Sequence, residues 1–246
     1  MTLAPGILPD RALHDALAQG WIRSGVDLEP GQIQPASLDL RLARRAWRLR
    51  ASFLPGPERT VTDCLDDDVV MHELDLEGGA VLETGCVYLA ELQEGLSLPE
   101  AVAAFANPKS STGRLDVFTR VIGDRSSAFD QVCAGYDGPL YVEISPRTFS
   151  VLARPGDRLV QVRLRAGEMT ALDAVTLSVD LKAGEGEPVG YRAKRHSPLV
   201  DLVKVGAHDP ERFWEPIYAP NGRIVLDPGE FYILCSREAV SVPVDQ

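Results

Sequence analysis

The sequence predicts a mainly β protein with a barrel-like or jelly-roll fold and a few short helices. Many short apolar runs are separated by glycine and proline, a spacing typical of β-sandwiches and barrels. Leu38, Leu40 and Leu42 alternate with Asp39 and Arg41, which is the period of a half-buried strand. The sequence does not indicate the helices of ten or more residues that a parallel α/β fold needs between its strands. The clearest predicted strands lie at residues 81–82, 87–89, 140–144, 149–152 and 159–164.

Three further segments have a predicted local structure. Residues 9–22 are expected to form a short amphipathic helix, with Leu13 and Ile22 among the residues that face the core. Residues 53–68 are rich in proline and aspartate, which predicts an excursion on the surface. Residues 98–106 are expected to contribute at least one helical turn.

The composition is that of an ordinary globular chain. Of the 246 residues, 45% are hydrophobic and 25% are charged. The sequence contains no apolar run near the ~18 residues that indicate a membrane helix, so no membrane association is expected. The first residues lack the basic region and the apolar core of a secretory signal, and we therefore expect a cytoplasmic protein.

The charge of the chain bears on its partners. A formal net charge of −11 argues against a surface that binds nucleic acid non-specifically, because such binding depends on Lys and Arg meeting phosphates. A phosphorylated small molecule needs only a few local cations. Lys109, Arg114, Arg120 and Arg125 supply them within a short span. The charge pattern is therefore compatible with a nucleotide ligand.

An internal repeat is the most informative feature of the chain's organisation. Residues 81–99 match residues 225–243 at an offset of 144, with seven identical positions. A duplicated fold explains this match better than chance similarity between two strand-turn-strand units. The predicted domains are a β-barrel at residues 1–200 and the start of a second, incomplete repeat at residues 201–246. This organisation suggests either a truncated two-domain protein or a hairpin that has become an appendage of the first domain.

Two segments carry residues that suit nucleotide chemistry. Residues 107–115 combine a lysine, three hydroxyls, a glycine and an arginine, groups that suit phosphate oxygens. Their spacing is not that of a Walker A loop, and a polar turn between strands has a similar composition. Residues 135–144 place glycines around Tyr136, which lets the backbone approach a ligand closely. Glu143 follows in an apolar strand, where it is solvated if it faces outward and available for proton transfer if it faces a cleft.

These segments resemble the motifs of dCTP deaminases. Residues 109–115 are similar to the arginine-serine-serine-x-x-arginine-leucine signature of that family, and residues 135–143 to its glycine-aromatic-x-glycine turn leading to the catalytic glutamate. Residues 34–42 match the family's proline-x-serine-x-aspartate-x-arginine-leucine strand, and residues 154–161 resemble its proline-glycine turn followed by a glutamine. The duplicated, longer form of the family found in some bacteria also agrees with the internal repeat.

The resemblance implies a fold, an assembly and a reaction. The fold is a distorted, dUTPase-like β-barrel, and the assembly is a homotrimer or pseudo-trimer whose active sites combine residues from more than one subunit. The reaction is hydrolytic deamination of dCTP to dUTP and ammonia, without zinc and with magnesium (Mg2+) carried by the triphosphate. By motif position, Glu143 is the proton shuttle, and Arg114 and Ser110 hold the water and the pyrimidine.

The same carry-over implies substrate contacts. Lys109, Ser110 and Ser111 are expected to contact phosphates. Lys109 stands where the family usually has arginine, so a single ammonium charge replaces the two-pronged guanidinium donor. Residues 132–135 replace the family's aspartate-proline-glycine, which leaves Asp130 as the nearest carboxylate for the deoxyribose. The remaining substrate-binding positions are Tyr136, Tyr141, Gln161, Tyr191 and Lys194, the last two in a segment similar to the one that closes over the triphosphate.

Four other functions are weighed against this one. Zinc deaminases need an H-x-E and a P-C-x-x-C pattern, and the sequence contains neither. A dUTPase shares the fold, but its glycine-arginine-serine motif and its glycine-rich C-terminal arm are missing. A bifunctional enzyme that converts dCTP to dUMP, and a non-catalytic nucleotide-binding or assembly subunit, remain open alternatives.

Overall fold

The computed structural model describes residues 4–167, 176–182, 184 and 186–240. The chain divides into two units, Met1–Thr170 with Leu199–Val205, and Ala171–Pro198 with Gly206–Gln246. The expected incomplete repeat at residues 201–246 remains a prediction, and its matching positions Ser241 and Pro243 lie outside the described residues. In the described part of the chain, no helix combines the length and the hydropathy that a membrane-spanning helix requires.

The elements of both units are mostly short strands, as the punctuated apolar runs predict. In the first unit they are β1 (Gly6–Ile7), α1 (Asp10–Ala18), β2 (Ile22–Ser24), β3 (Ile33–Gln34), β4 (Ser37–Leu49), a 3-10 turn (Thr62–Cys64), β5 (Val70–Asp75), β6 (Ala80–Leu82), β7 (Val87–Ser97), β8 (Val102–Pro108), α2 (Ser110–Gly113), β9 (Val117–Gly123), β10 (Gln131–Val132), β11 (Asp137–Pro146), β12 (Val151–Ala153), β13 (Arg158–Ala166) and β15 (Val200–Asp201). In the second unit they are β14 (Gly190–Ala193), β16 (Trp214–Ile217), β17 (Tyr232–Leu234) and 3-10 turns at Pro210–Arg212 and Pro220–Gly222.

One large antiparallel sheet organises the first unit. Its strands follow the order β10-β8-β13-β4-β7-β11-β9, and β1, β2, β3 and β5 pair along its margins. The long strand β4 pairs with β13 near its start and with β7 further along, with a register shift between Leu42 and Ala46. A strand shared in this way lets the sheet curve into a barrel-like form. The predicted mainly β, barrel-like fold is confirmed.

The first part of β4, residues 37–42, is buried on both faces, so the prediction of a half-buried strand at this position is wrong. Asp39 and Arg41 are each only 2% exposed. The guanidinium of Arg41 donates from Nε to Glu94 Oε1 at 2.7 Å, and Gln32 donates from Nε2 to the same oxygen at 2.7 Å. A charge can be buried when it is paired and hydrogen-bonded, a condition that an apolar-polar pattern does not report.

The first helix is shorter than predicted. It ends at Ala18, and Ile22 belongs to β2, where it pairs with Leu96 of β7. Gly20 has a φ of +76°, a left-handed conformation that ends a helix at little cost in glycine. Its N–H donates to the carbonyl of Leu17, and the next N–H donates to the carbonyl of Ala16, so the last turn is closed and the chain leaves as a strand.

Two other local predictions also differ from the structure. Residues 98–106 contain several alanines, but residues 102–108 form β8 instead of a helix because they pair along β13; tertiary pairing outweighs helix propensity here. Residues 53–68 are partly an interior segment, since Val61 and Cys64 are 0% and 5% exposed. Phe53, Leu54 and Leu65 pack against the buried cluster that contains Trp47, Leu49, Leu89, Ile122 and Tyr141.

The second unit contains a three-stranded antiparallel sheet in the order β16-β14-β17. Its β17 begins at Tyr232, whose hydroxyl accepts the N–H of Asp227 at 2.9 Å. In the first unit Tyr88 accepts the N–H of Glu83 at 3.0 Å, and both pairs are related by the 144-residue offset. The glycines between them, Gly85 and Gly229, both have positive φ. The repeat found in the sequence therefore corresponds to two turns with the same local structure.

Candidate active site

The segment predicted to contact phosphate forms the short helix α2 between β8 and β9. Thr112 is buried and donates from Oγ1 to the carbonyl of Leu159 on β13 at 2.8 Å. Ser110, Ser111 and Arg114 are exposed on the same turn. The interior residue of the turn thus anchors it, and the three residues expected to meet water, pyrimidine or phosphate are on its solvent side.

Lys109 precedes this helix and its ammonium group is held by a buried carboxylate. Its Nζ is ion-paired with Asp39 Oδ2, and the side chains are 25% and 2% exposed. Gln161 of β13 lies opposite Asp39 in the sheet register and accepts the hydroxyl hydrogen of Ser37 at 2.9 Å. The predicted binding residues Lys109 and Gln161 therefore meet in one region, together with Asp39, which sequence reasoning did not select.

Glu143 is on β11, 2% exposed, in register with Leu89 of β7 and Arg120 of β9. Its Oε1 accepts hydrogen bonds from Arg120 Nε at 3.0 Å and Arg120 Nη2 at 2.5 Å. Its Oε2 is also buried, and it has no hydrogen-bond partner among the described residues. Buried polar atoms normally have partners, so an unsatisfied carboxylate oxygen marks a place where a polar group of another molecule is expected.

Three further side chains contact the guanidinium of Arg120. Its guanidinium carbon lies 3.8 Å from the ring centroid of Phe129 and 5.2 Å from that of Phe118, distances at which a cation is attracted to an aromatic face. Its Nη2 also donates to Ser52 Oγ at 2.8 Å. In the sequence Arg120 is recognisable only as one of several nearby cations.

Asp130 lies beside this pair. Burial raises the pKa of its carboxyl group, the N–H of Val121 and the charge of Arg120 lower it, and the charge of Glu143 raises it. Its Oδ1 accepts the Val121 N–H at 2.8 Å, and its backbone has a φ of +61°. The structure thus brings Asp130 into the neighbourhood of Glu143, although the sequence motif around it departs from the family's pattern.

The two predicted tyrosines of this region have different surroundings. The hydroxyl of Tyr136 donates to the carbonyl of Pro139 and accepts the N–H of Asp124 at 3.0 Å, so it closes its own turn. Burial is the largest cause that raises its pKa. Tyr141 is 4% exposed in the apolar cluster, and burial raises its pKa to about 12. Their expected substrate contacts remain predictions.

Tyr191 and Lys194 belong to the second unit. Tyr191 lies on β14 and is 45% exposed. Lys194 donates from Nζ to the carbonyl of Glu211 at 2.5 Å. Their expected role over the triphosphate also remains a prediction.

Within one chain the candidate residues form two groups. Among the described residues, no hydrogen bond or ion pair joins the Lys109 group to the Glu143 group, and no cluster of three or more metal-ligating side chains is found. An open cavity of about 500 Å³ adjoins α2 and the start of β9, lined by Pro108, Gly113, Asp116, Val117, Phe118 and Arg147. The described residues thus include an exposed hydroxyl- and cation-bearing turn and a buried carboxylate that no hydrogen bond or ion pair connects.

The class of protein follows from comparison with family models. The N-terminal domain model of 2′-deoxycytidine 5′-triphosphate deaminases matches residues 4–168, and the C-terminal domain model matches residues 151–246. The chain belongs to the dCTP deaminase family, a family of enzymes. The predicted family is thereby confirmed.

Individual relatives agree with this assignment. The crystal structure of a 2′-deoxycytidine 5′-triphosphate deaminase from Agrobacterium tumefaciens is 49% identical, with a TM-score of 0.92 over 98% of this chain and 77% of that chain. A dCTP deaminase, dUMP-forming, of Methanoculleus marisnigri is 34% identical over 142 residues, which are 56% of this chain and 68% of the relative. A dCTP deaminase of Halorubrum lacusprofundi is 30% identical over 158 residues, which are 63% of this chain and 75% of the relative.

Proposed function

We propose that the chain catalyses hydrolytic deamination of dCTP to dUTP and ammonia. The observation that carries this proposal is the state of Glu143, a buried carboxylate with one oxygen held by Arg120 and the other without a partner among the described residues. A carboxylate of this kind suits proton transfer to and from a water molecule that attacks a bound base.

The chemistry needs two proton transfers through one carboxylate. Glu143 takes a proton from water while the water oxygen bonds to C4 of the cytosine, and the proton passes to the ring nitrogen N3. The proton of the new hydroxyl group then passes through the carboxylate to the amino nitrogen, the C4–N bond breaks and ammonia leaves. The uracil product keeps the hydrogen on N3, so atoms and charge balance.

Substrate binding falls to the exposed turn around α2. We propose that Lys109, Ser110 and Ser111 contact the triphosphate, and that Arg114 and Ser110 position the water and the pyrimidine. Among the described residues no hydrogen bond or ion pair joins this turn to Glu143. We favour a homotrimer or pseudo-trimer in which the turn of one subunit serves the glutamate of another. Magnesium would enter with the triphosphate and offset its charge.

The main alternative within this function concerns the final product, which is either dUTP or dUMP. Relatives from Methanoculleus marisnigri and Sulfurihydrogenibium are named dUMP-forming dCTP deaminases, which favours a second candidate, a bifunctional enzyme that also releases pyrophosphate. In either case we propose a cytoplasmic enzyme of pyrimidine deoxynucleotide metabolism.

Supplying dCTP and dUTP separately, and following ammonia and pyrophosphate together, tests both candidates. A deaminase that stops at dUTP releases ammonia from dCTP and pyrophosphate from neither nucleotide. A bifunctional enzyme releases both products from dCTP. Hydrolysis of dUTP with dCTP left untouched would contradict deamination.

A further inference from the structure

Glu143 has two chemically equivalent oxygens that the fold makes different. Oε1 receives two hydrogen bonds from Arg120, whereas Oε2 is buried without a partner among the described residues. A carboxylate without such a neighbour rotates about its last bond and presents either oxygen, since that torsion is broad. The paired contact with a planar guanidinium opposes this rotation.

The guanidinium of Arg120 is itself fixed from several directions. It stacks on Phe129 at 3.8 Å, lies 5.2 Å from Phe118, and donates to Ser52 at 2.8 Å. Phe129 in turn packs against the buried cluster around Trp47. The arginine is therefore connected to the core, and its hydrogen bonds to Glu143 have a defined direction.

We propose that Arg120 is the positioning residue of the reaction, and that it reserves Oε2 of Glu143 as the atom that carries the proton. This inference rests on the proposed function, because it assigns the atom through which Glu143 works. Arg120 would act through the carboxylate, since its described hydrogen bonds go to Glu143 and Ser52.

If Arg120 positions Glu143, its removal should lower kcat and leave KM nearly unchanged. Misplacement of a reacting group by about 1 Å can cost about 100-fold in rate, whereas contacts that hold the substrate are unaffected. We expect Arg120→Ala to lower kcat for ammonia release from dCTP by about 100-fold and to change KM by less than about threefold. Arg120→Lys keeps a charge but loses the planar fork. Its kcat should lie between those of the wild type and Arg120→Ala.

Chemical rescue distinguishes positioning from a general effect on the fold. Guanidinium ion at a non-denaturing concentration should restore part of the kcat of Arg120→Ala and leave the wild type unchanged. On a Glu143→Gln background, Arg120→Ala should cause no further loss, because the residue it positions has already been removed.

Arg45 offers a matched control. It lies over Trp47 at 4.9 Å and hydrogen-bonds to Glu73 and Glu91 at 3.0 and 3.3 Å, so Arg45→Ala removes a similar stacked, ion-paired arginine from the same sheet. Its kcat and KM should remain near the wild-type values. Equal losses in Arg45→Ala and Arg120→Ala would overturn the proposal.

Other outcomes are equally decisive. A kcat of Arg120→Ala within twofold of the wild type, or above it, would contradict the positioning role, and an increase would make the pair an inhibitory contact. If Arg120→Ala does not fold, Arg120→Lys and Phe129→Leu supply the same comparison, and both must lower kcat more than they change KM. Failure of the proposed function is recognised separately, because the wild type itself would then release no ammonia from dCTP.

Discussion

The ammonium of Lys109 is ion-paired with the buried carboxylate of Asp39, which lies 70 residues earlier in the chain. Asp39 belongs to β4 and Lys109 precedes α2, so the pair connects the turn expected to bind phosphate to the central sheet. A lysine side chain has many rotamers in solution, and ordering it has an entropic cost. The pair holds the cation in place before substrate arrives.

Asp39→Asn is expected to raise the KM for dCTP about tenfold, the equivalent of about 1.4 kcal/mol, with little change in kcat. The amide leaves Lys109 without its ionic partner, and ground-state binding of phosphate is weakened. Steady-state kinetics with dCTP measures both constants. Asp75→Asn, which alters the exposed pair with Arg44, is the control and should leave KM unchanged. An unchanged or lower KM in Asp39→Asn would mean that the pair does not prepare Lys109 for the substrate.

Tyr136→Phe is expected to destabilise the protein by about 0.5–1.5 kcal/mol, the net contribution of a typical hydrogen bond. Its hydroxyl joins the N–H of Asp124 to the carbonyl of Pro139, and phenylalanine cannot replace it. Urea unfolding of the variant and of Tyr218→Phe, whose ring is 53% exposed, measures the difference. A variant with normal stability and a raised KM would instead support the substrate contact predicted from the sequence.

The stability of Asp130→Asn should depend on pH. Because burial raises the pKa of Asp130 above its ordinary 3.8, its contribution to stability is fully present below the unfolded value and is lost as the pH rises through the folded one. Asparagine stays neutral, still accepts a hydrogen bond from Val121 and tolerates a positive φ. The variant should therefore have a higher Tm than the wild type near pH 8, and the difference should shrink as the pH falls toward 3.8.

Asp63→Asn supplies a control of opposite sign for this measurement. Hydrogen bonds from Thr60 lower the pKa of Asp63, so its contribution to stability is present above the unfolded value and is lost as the pH falls through the folded one. That variant should have a lower Tm than the wild type near pH 8. A Tm difference for Asp130→Asn that is negative, or constant with pH, would show that burial is not the dominant effect on this carboxyl group.

Much of the fold could be predicted because it depends on local patterns. Short segments of sequence determine the apolar runs that form β7, β11 and β13, the turn at Gly135 with its φ of +75°, and the repeated turn that contains Gly85 and Gly229. The interior of β4 could not be predicted in this way, because the burial of Asp39 and Arg41 depends on Lys109 and Glu94, partners that are distant in the sequence. β8 was missed for a similar reason, since its strand conformation is imposed by pairing with β13.

In the candidate site, too, residues within a motif could be predicted, whereas residues that depend on tertiary contacts could not. Glu143 is identified by its motif, and its burial contradicts the alternative of a solvated side chain. Arg120 was not found as its partner, because their contact follows from the register between β9 and β11 and not from spacing along the chain. Phe129 and Ser52 carry no motif at all, and only their positions around the guanidinium identify them.

Comparison of the wild type with Glu143→Gln tests the proposed deamination most directly. Ammonia release from dCTP and equilibrium binding of dCTP should be measured on both proteins. We expect the wild type to release ammonia, and the variant to lose about 100- to 10,000-fold of that rate, the usual contribution of a positioned acid-base group, while it still binds dCTP. A wild type that binds dCTP but releases no ammonia, or a variant that deaminates at the wild-type rate, would contradict it.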